Sequence, residues 1–387
     1  MNITILGSGL VGTPMAIDLA QDPQFELLVV DVDPKALRRL EGFPSVFSVL
    51  SDLSDPKNIQ KYIIDADYVI NALPGYMGYR TLKTVIEAGR NVVDISFFPE
   101  NPFELSDIAV NNNVTAVIDC GVAPGMSNFL VGHAAALLEK VENVKIYVGG
   151  LPEKKAWPFE YKAVFSITDV LEEYTRPSRY IKNGRLVTMP ALSEPEMIDF
   201  DHVGTLEAFN TDGLRTLFSN IPADNMIEKT LRYPGHINLM RVFRETGFLN
   251  KNPIRIHDGD IVPFDLTAKL LADDWRMKEG DRDLTVMKII VEGMHKDGGS
   301  RRFTFELYDR FDEITGVHSM ARTTGYTATM TLRMLVDNLF SEKGIIAPET
   351  IGADCKCVNY MLKGLKRRGI TYTEKIEEFE SKQSFNP

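Results

Sequence analysis

The sequence predicts an α/β protein with a doubly wound parallel sheet at its N-terminus and a second domain built on a mixed or antiparallel sheet. Three observations carry this. The first 31 residues read as strand, glycine turn, helix and strand. Apolar strands then alternate with helical patterns as far as residue 118, and beyond residue 122 the texture becomes β-rich. The expected domains are residues 1–122, residues 123–322 and a C-terminal helical segment over 323–387.

Element by element, residues 2–6 form an apolar strand, followed at once by Gly7-Ser8-Gly9-Leu10-Val11-Gly12 and a helical pattern through Ala16, Leu19 and Ala20. A second apolar run, 25–30, ends in Asp31. In such a unit Gly7 permits the tight turn, Gly9 lets a pyrophosphate approach the backbone, and Gly12 lets the helix pack on the strand. Leu10 and Val11 complete the phosphate-facing turn. This is the fingerprint of a Rossmann dinucleotide site, and Asp31, 31 − 12 = 19 residues after Gly12, stands where a carboxylate accepts ribose hydroxyls. A carboxylate there repels a 2′-phosphate, and Val32-Asp33-Pro34 offers no arginine to receive one, so the expected cofactor is NAD rather than NADP. The alternative is a purely structural glycine turn. Pro14 is tolerated early in the helix because first-turn amides lack intrahelical partners.

A helical stretch at 58–64 leads into the strand 68–73, closed by Pro74-Gly75. Ligands of a doubly wound sheet lie outside the carboxyl ends of its strands, so Asn71, Ala72 and Leu73 are expected to border the nicotinamide half of a dinucleotide. A helix over 78–88 ends at Gly89. The strand 91–95 carries Asp94 near its carboxyl end, and the strand 114–118 delivers Asp119-Cys120-Gly121. The run Gly121-Val122-Ala123-Pro124-Gly125-Met126 breaks the alternation and marks the exit from the first domain, with Ser127 or Asn128 able to cap the next helix. Runs at 144–149, 180–189, 228–233, 284–292 and 302–308 read as strands, with turns at Lys182-Asn183-Gly184-Arg185 and Lys296-Asp297-Gly298-Gly299. Apolar-periodic segments follow at 323–340 and 361–368, then a sparsely apolar tail from Thr373 that reads as surface or frayed.

Composition excludes other classes. Lys+Arg 43 against Asp+Glu 54 gives a net charge of −11, so nucleic acid and anionic membrane surfaces are repelled. No window approaches the roughly 20 apolar residues of a membrane span, and the start lacks the charged n-region of a signal peptide, so a cytoplasmic protein is expected. Three cysteines, Cys120, Cys355 and Cys357, cannot build a disulfide framework. Cys355-x-Cys357 has no further ligand at metal spacing, so no metal is expected.

Taken together, Gly7 to Gly12, Asn71-Ala72-Leu73, Asp119-Cys120-Gly121-Val122-Ala123-Pro124-Gly125-Met126, Leu206-Glu207-Ala208-Phe209, Arg232-Tyr233-Pro234-Gly235-His236 and Met320-Ala321-Arg322-Thr323-Thr324-Gly325-Tyr326 resemble the saccharopine dehydrogenase-like family, over nearly the whole chain. The resemblance implies an amino-acid dehydrogenase with an N-terminal Rossmann domain, an inserted α+β substrate domain, and a C-terminal helix from near Thr323 that returns to the first domain. Asp31 and the Val122-Ala123 pair fit the family's lysine-acting, NAD-dependent branch better than its NADP-dependent saccharopine reductases. The implied reaction is oxidative deamination of the terminal amine of L-lysine, giving the 6-semialdehyde and ammonia. One alternative is a reductase that forms or cleaves a secondary amine, as saccharopine or carboxynorspermidine synthases do; another is a dinucleotide-bound sensor without turnover. The expected partners are a small amino-acid substrate and further copies of the chain in a homo-oligomer.

Hydride transfer from an amine carbon needs the nitrogen lone pair, so the ammonium must first lose its proton. With a free pKa near 10.4, neutralising a lysine side chain at pH 7 costs about 4.6 kcal/mol unless burial or a base offsets it. Asp94 and Asp119, at carboxyl ends of first-domain strands, and His236, in Arg-Tyr-x-Gly-His, are the candidate bases. Each has a plainer reading: an Asp after a strand commonly caps the next turn, and the histidine bonds a neighbouring loop. Cys120 reads as packing, because hydride transfer needs no covalent adduct. A substrate carboxylate calls for a cation, preferably arginine, and Arg215 and Arg244 are the candidates, against a surface ion-paired role. Glu207 and Thr211 are candidates for the α-ammonium, and Glu207 equally reads as a residue that orients a backbone loop.

Overall fold

The computed structural model describes residues 1–257 and 259–378. It divides into two compact units, one of residues 1–136 and 321–371, the other of residues 137–320 and 372–378.

The first unit is built on a seven-stranded parallel sheet of β1 (Asn2–Leu6), β2 (Glu26–Asp31), β3 (Val46–Leu50), β4 (Tyr68–Asn71), β5 (Asn91–Asp94), β6 (Thr115–Val117) and β7 (Gly344–Ile346). Its order is β7-β6-β5-β4-β1-β2-β3, so the direction of winding reverses between β1 and β4, where a doubly wound sheet binds its ligand. Both faces are covered, as a parallel sheet requires: Ile5, Val29, Ile70 and Val93 on one face and Leu6, Val30, Val69 and Val92 on the other are fully buried. The connecting helices start where local chemistry satisfies their first amides. Asp33 accepts from Lys35 N and Asp55 from Lys57 N, each ahead of a proline in the first turn.

Two strands of this sheet are not among the expected elements. β3, Val46-Phe47-Ser48-Val49-Leu50, is apolar at four of its five positions, yet it is an edge strand with Phe47 and Leu50 exposed. β7 is three residues long and lies far from β6 in sequence, although the two pair directly. The return of the C-terminal segment to the first unit is observed, through β7 and the helices Ser319–Val336 and Cys355–Arg367.

The second unit holds a nine-stranded mixed sheet. Leu138–Pro152 pairs parallel with Ala223–Arg232 and antiparallel with Asp283–His295, which continues into Ser300–Arg310. The hairpin turns expected at residues 182–185 and 296–299 both join antiparallel strands. A separate aromatic core of Phe159, Tyr161, Tyr174, Phe209 and Trp275 fills this unit.

Unit boundaries differ from the expected domains at both ends. The helix Met126–Leu137 falls almost wholly within the first unit, because Gly132 and Gly352 let backbones approach there: a Cβ on either would overlap Glu349 or Phe129 backbone atoms. Residues 373–378, read as tail, belong to the strand Tyr372–Glu378 on the edge of the second sheet. The remainder of that tail, 379–387, lies outside the described residues. Among the described residues no helix is long and apolar enough to cross a membrane, and no cluster of three His, Cys, Asp or Glu could hold a metal ion.

Candidate active site

The glycine turn has the geometry that a dinucleotide requires. Gly7 adopts φ +100, and a Cβ there would sit 2.7 Å from Ala72 O; a Cβ on Gly12 would sit 2.1 Å from Gly7 O. These two glycines are demanded by the protein's own packing. Gly9 differs, since a Cβ on it would meet nothing within 4 Å. Neither a protein contact nor a positive φ calls for glycine at this position, and close approach of a ligand to the backbone does. Ser8 Oγ and Thr13 Oγ1 lie 2.9 Å apart, and Thr13 donates to Ser8 O at 2.7 Å, which stiffens the turn. Asp31 reaches back from β2: Ser8 N donates to its Oδ2 at 2.5 Å and Asp33 N to its Oδ1 at 2.7 Å. Leu10 is exposed and Val11 immediately precedes the helix Gly12–Leu19. The residues present therefore fit a dinucleotide.

Beside this turn, at the carboxyl ends of β4, β5 and β6, lies a buried polar group. Asn71 and Asp94 are register partners, both fully buried, and Asn71 Nδ2 donates to Asp94 Oδ2 at 2.9 Å. Asn71 Oδ1 accepts from Leu73 N at 3.3 Å, which fixes the amide's orientation, while Ala72 N donates to Leu6 O. Ser96 N donates to Asp94 Oδ1 at 2.6 Å. Burial pushes the Asp94 carboxyl up to about 7, Asp119 adding in the same direction against the hydrogen bonds from Asn71 and Ser96. Asp119 is buried, with φ +49. A left-handed aspartate at the end of a sheet strand is uncommon and re-aims the chain there. Cys120 N donates to Asp94 O, and burial pushes the Cys120 thiol up to about 12. That thiol is no nucleophile at neutral pH.

The remaining candidates belong to the second unit. His236 is a satisfied core histidine. Phe159 O accepts at 2.8 Å from Nδ1, which must therefore carry the proton, and Nε2 accepts from the Tyr174 hydroxyl at 2.9 Å. Burial, with Arg232 nearby, pulls its pKa down to about 3. Both nitrogens are taken and the ring stays neutral, so the general-base expectation gives way to the plainer reading. Arg232 Nε donates to the Tyr174 hydroxyl at 3.1 Å and Nη2 to Glu173 at 2.6 Å, and its guanidinium stacks 4.6 Å from the Tyr161 ring centre. Nothing in the sequence pattern separates that buried arginine from a surface one.

Glu207 Oε2 accepts from Gly235 N at 3.0 Å, which holds the turn ahead of the helix His236–Glu245; this is the loop-orienting alternative. Arg244 donates to Glu245 at 2.7 Å and to Ala191 O, the ion-paired arrangement that is its plainer reading. Thr211 and Arg215 are buried on one turn after the strand Gly204–Asn210, with Arg215 at φ +54. Glu228 holds that turn: Thr211 Oγ1 donates to it at 2.6 Å and Gly213 N at 3.0 Å. Burial pushes Glu228 up to about 8. Sequence reasoning misses Glu228 because a glutamate in a strand ordinarily reads as solvent-facing.

Two family models divide the chain. Residues 3–117 match the saccharopine dehydrogenase NADP binding domain and residues 121–370 the saccharopine dehydrogenase C-terminal domain. The chain belongs to the saccharopine dehydrogenase family. This family member is 22% identical to the saccharopine dehydrogenase [NADP(+), L-glutamate-forming] of Schizosaccharomyces pombe, over 98% of this chain and 100% of that protein. It is 23% identical to the mitochondrial alpha-aminoadipic semialdehyde synthase of Mus musculus over 96% of this chain, and spans only 47% of that longer protein. Apo saccharopine dehydrogenase (L-Glu forming) from Saccharomyces cerevisiae shares the fold, with a TM-score of 0.77 at 20% identity over 97% of this chain and 99% of that one. Homospermidine synthase from Legionella pneumophila, solved with NAD, gives 0.68 at 11% identity, over 100% of this chain and 94% of that one. Members of this family are oxidoreductases acting on CH–NH groups through a nicotinamide dinucleotide.

Proposed function

We propose that this family member oxidises the terminal amine of L-lysine with NAD to an imine, which water hydrolyses to the 6-semialdehyde and ammonia. The observation that carries the reading is the Asp94 carboxyl: fully buried, oriented by Asn71 and Ser96, and balanced near neutrality at the carboxyl end of a strand two places from the glycine turn. A bound nicotinamide supplies the hydride acceptor. The chain supplies the rest. A carboxyl whose ionisation lies near pH 7 is a local acceptor for the proton of a substrate ammonium, whose removal at pH 7 costs roughly 4.6 kcal/mol, and returns that proton later in the cycle. Asp119 adds, after burial, to the upward pull on Asp94. Asp31, with no cation on Val32-Asp33-Pro34, supports NAD over NADP.

A second reading, oxidation or formation of a secondary amine with NADP, draws on the names of the relatives. Carboxynorspermidine synthase of Vibrio cholerae, 24% identical over 75% of this chain, belongs with them. A substrate panel decides between the two: NADH or NADPH formation is followed at 340 nm with lysine, ornithine, saccharopine and diaminopimelate. Turnover with lysine and NAD supports the first reading, and turnover confined to saccharopine with NADP replaces it with the second. No reduction with any amine refutes both.

A further inference from the structure

The helix Ser319–Val336 touches two functional segments of its own unit through two different faces. On one face, Gly325, Thr329 and Arg333 are spaced by four residues and meet the helix that follows the glycine turn. A Cβ on Gly325 would lie 2.9 Å from Met15 Cγ and 3.3 Å from Val11 Cγ1. Thr329 Oγ1 donates to Asp18 Oδ2, Arg333 Nη1 donates to the same oxygen at 2.6 Å, and Arg333 Nε donates to Asp22 at 2.7 Å. Arg368 occupies the other Asp18 oxygen at 2.6 Å. On the other face, Thr324 and Thr331 are two turns apart and meet the end of β6. A Cβ on Gly121 would lie 3.3 Å from Thr324 Cγ2, and the Cys120 thiol donates to Thr331 Oγ1 at 3.1 Å.

We propose that this helix is the positioning element of the dinucleotide site, with Gly325 and Arg333 setting the seat of the phosphate-facing helix and Thr331 setting the Asp119-Cys120-Gly121 segment against it. Val11 belongs to the glycine fingerprint and Asp18 lies about 1.7 turns beyond Gly12, so a shift of the first helix moves the amides that face the pyrophosphate. The absence of a side chain at Gly325 is what lets the two helices meet at Val11. The first arm of the proposal needs only dinucleotide binding; the second rests on the amine-oxidation reading.

Titration with NADH, followed by its fluorescence, tests the first arm without any amine present. Gly325→Ala and Arg333→Lys, the latter keeping the charge and losing the two-pronged grip, are each expected to raise the dissociation constant about tenfold. A merely structural role would lower the melting temperature of the folded variants and leave that constant unchanged, and this result overturns the proposal. Should Gly325→Ala not fold, Arg333→Lys alone decides. Thr331→Val removes the acceptor of the Cys120 thiol at nearly constant volume. It is expected to keep the NADH constant within about twofold while kcat falls about tenfold. Unchanged kcat overturns the second arm. A wild-type protein that binds NADH but turns over no amine removes the amine reading and leaves the titration result standing.

Discussion

Asn71 Nδ2 donates to Asp94 Oδ2 across 2.9 Å, between the last residues of two strands that stand side by side in register. The bond ties the segment expected to border the nicotinamide to a carboxyl near its midpoint of ionisation. A fully buried aspartate without such partners would be far costlier to ionise. Asn71 and Ser96 lower its pKa and burial raises it, leaving it at about 7.

Asp94→Asn tests the base directly. The amide keeps the shape and cannot take a proton, so turnover is expected to fall about a hundredfold or more while NADH affinity stays within about twofold. In the wild type, kcat/KM for lysine should rise with pH through about 7 as Asp94 ionises. That limb should vanish in the variant; a retained limb assigns the base to another group.

The same carboxyl predicts a stability profile. Its folded-state pKa, about 7, lies above the ordinary 3.8, so between these values the native state holds a proton that the unfolded chain has released. Its contribution to stability therefore declines as pH rises across that window and is level above it. Melting temperatures measured from pH 4 to 8 should show Asp94→Asn gaining on the wild type up to about pH 7, then running parallel. A constant offset at every pH contradicts the raised value.

Asp31 anchors Ser8 N and Asp33 N through its two carboxylate oxygens, and we propose that it also meets the ribose. Asp31→Ala should weaken NAD binding about tenfold and narrow the preference over NADP. Isothermal titration with both dinucleotides checks this. Unchanged preference would detach Asp31 from cofactor choice.

His236→Phe separates structure from chemistry in the second unit. The substitution leaves Phe159 O without its donor and Tyr174 without its acceptor, at a cost of about 1–3 kcal/mol for each buried group. Chemical denaturation should register the loss, with turnover by the folded variant within about twofold of the wild type. If the folded variant instead turns over roughly a hundredfold more slowly, His236 is reinstated as the base.

The local grammar of the chain was readable in one dimension. Gly7, Gly12 and Asp31 could be placed because a strand, a tight turn and a helix impose fixed spacings. Asp94 and Asp119 stood out because strand ends gather on one side of a parallel sheet. Family membership followed from motifs distributed along the same line. What tertiary structure alone decided was environment. Asp94 and His236 are both candidate bases in the sequence, yet burial raises one to about 7 and, with Arg232 nearby, lowers the other to about 3. Arg244 went to Glu245, and Glu228 became the support of the Thr211 turn, through contacts with no periodic signature. Asp18 and Arg333 meet across 315 positions. Spacing encodes which element a residue occupies, whereas desolvation and pairing depend on whatever the folded chain brings against it.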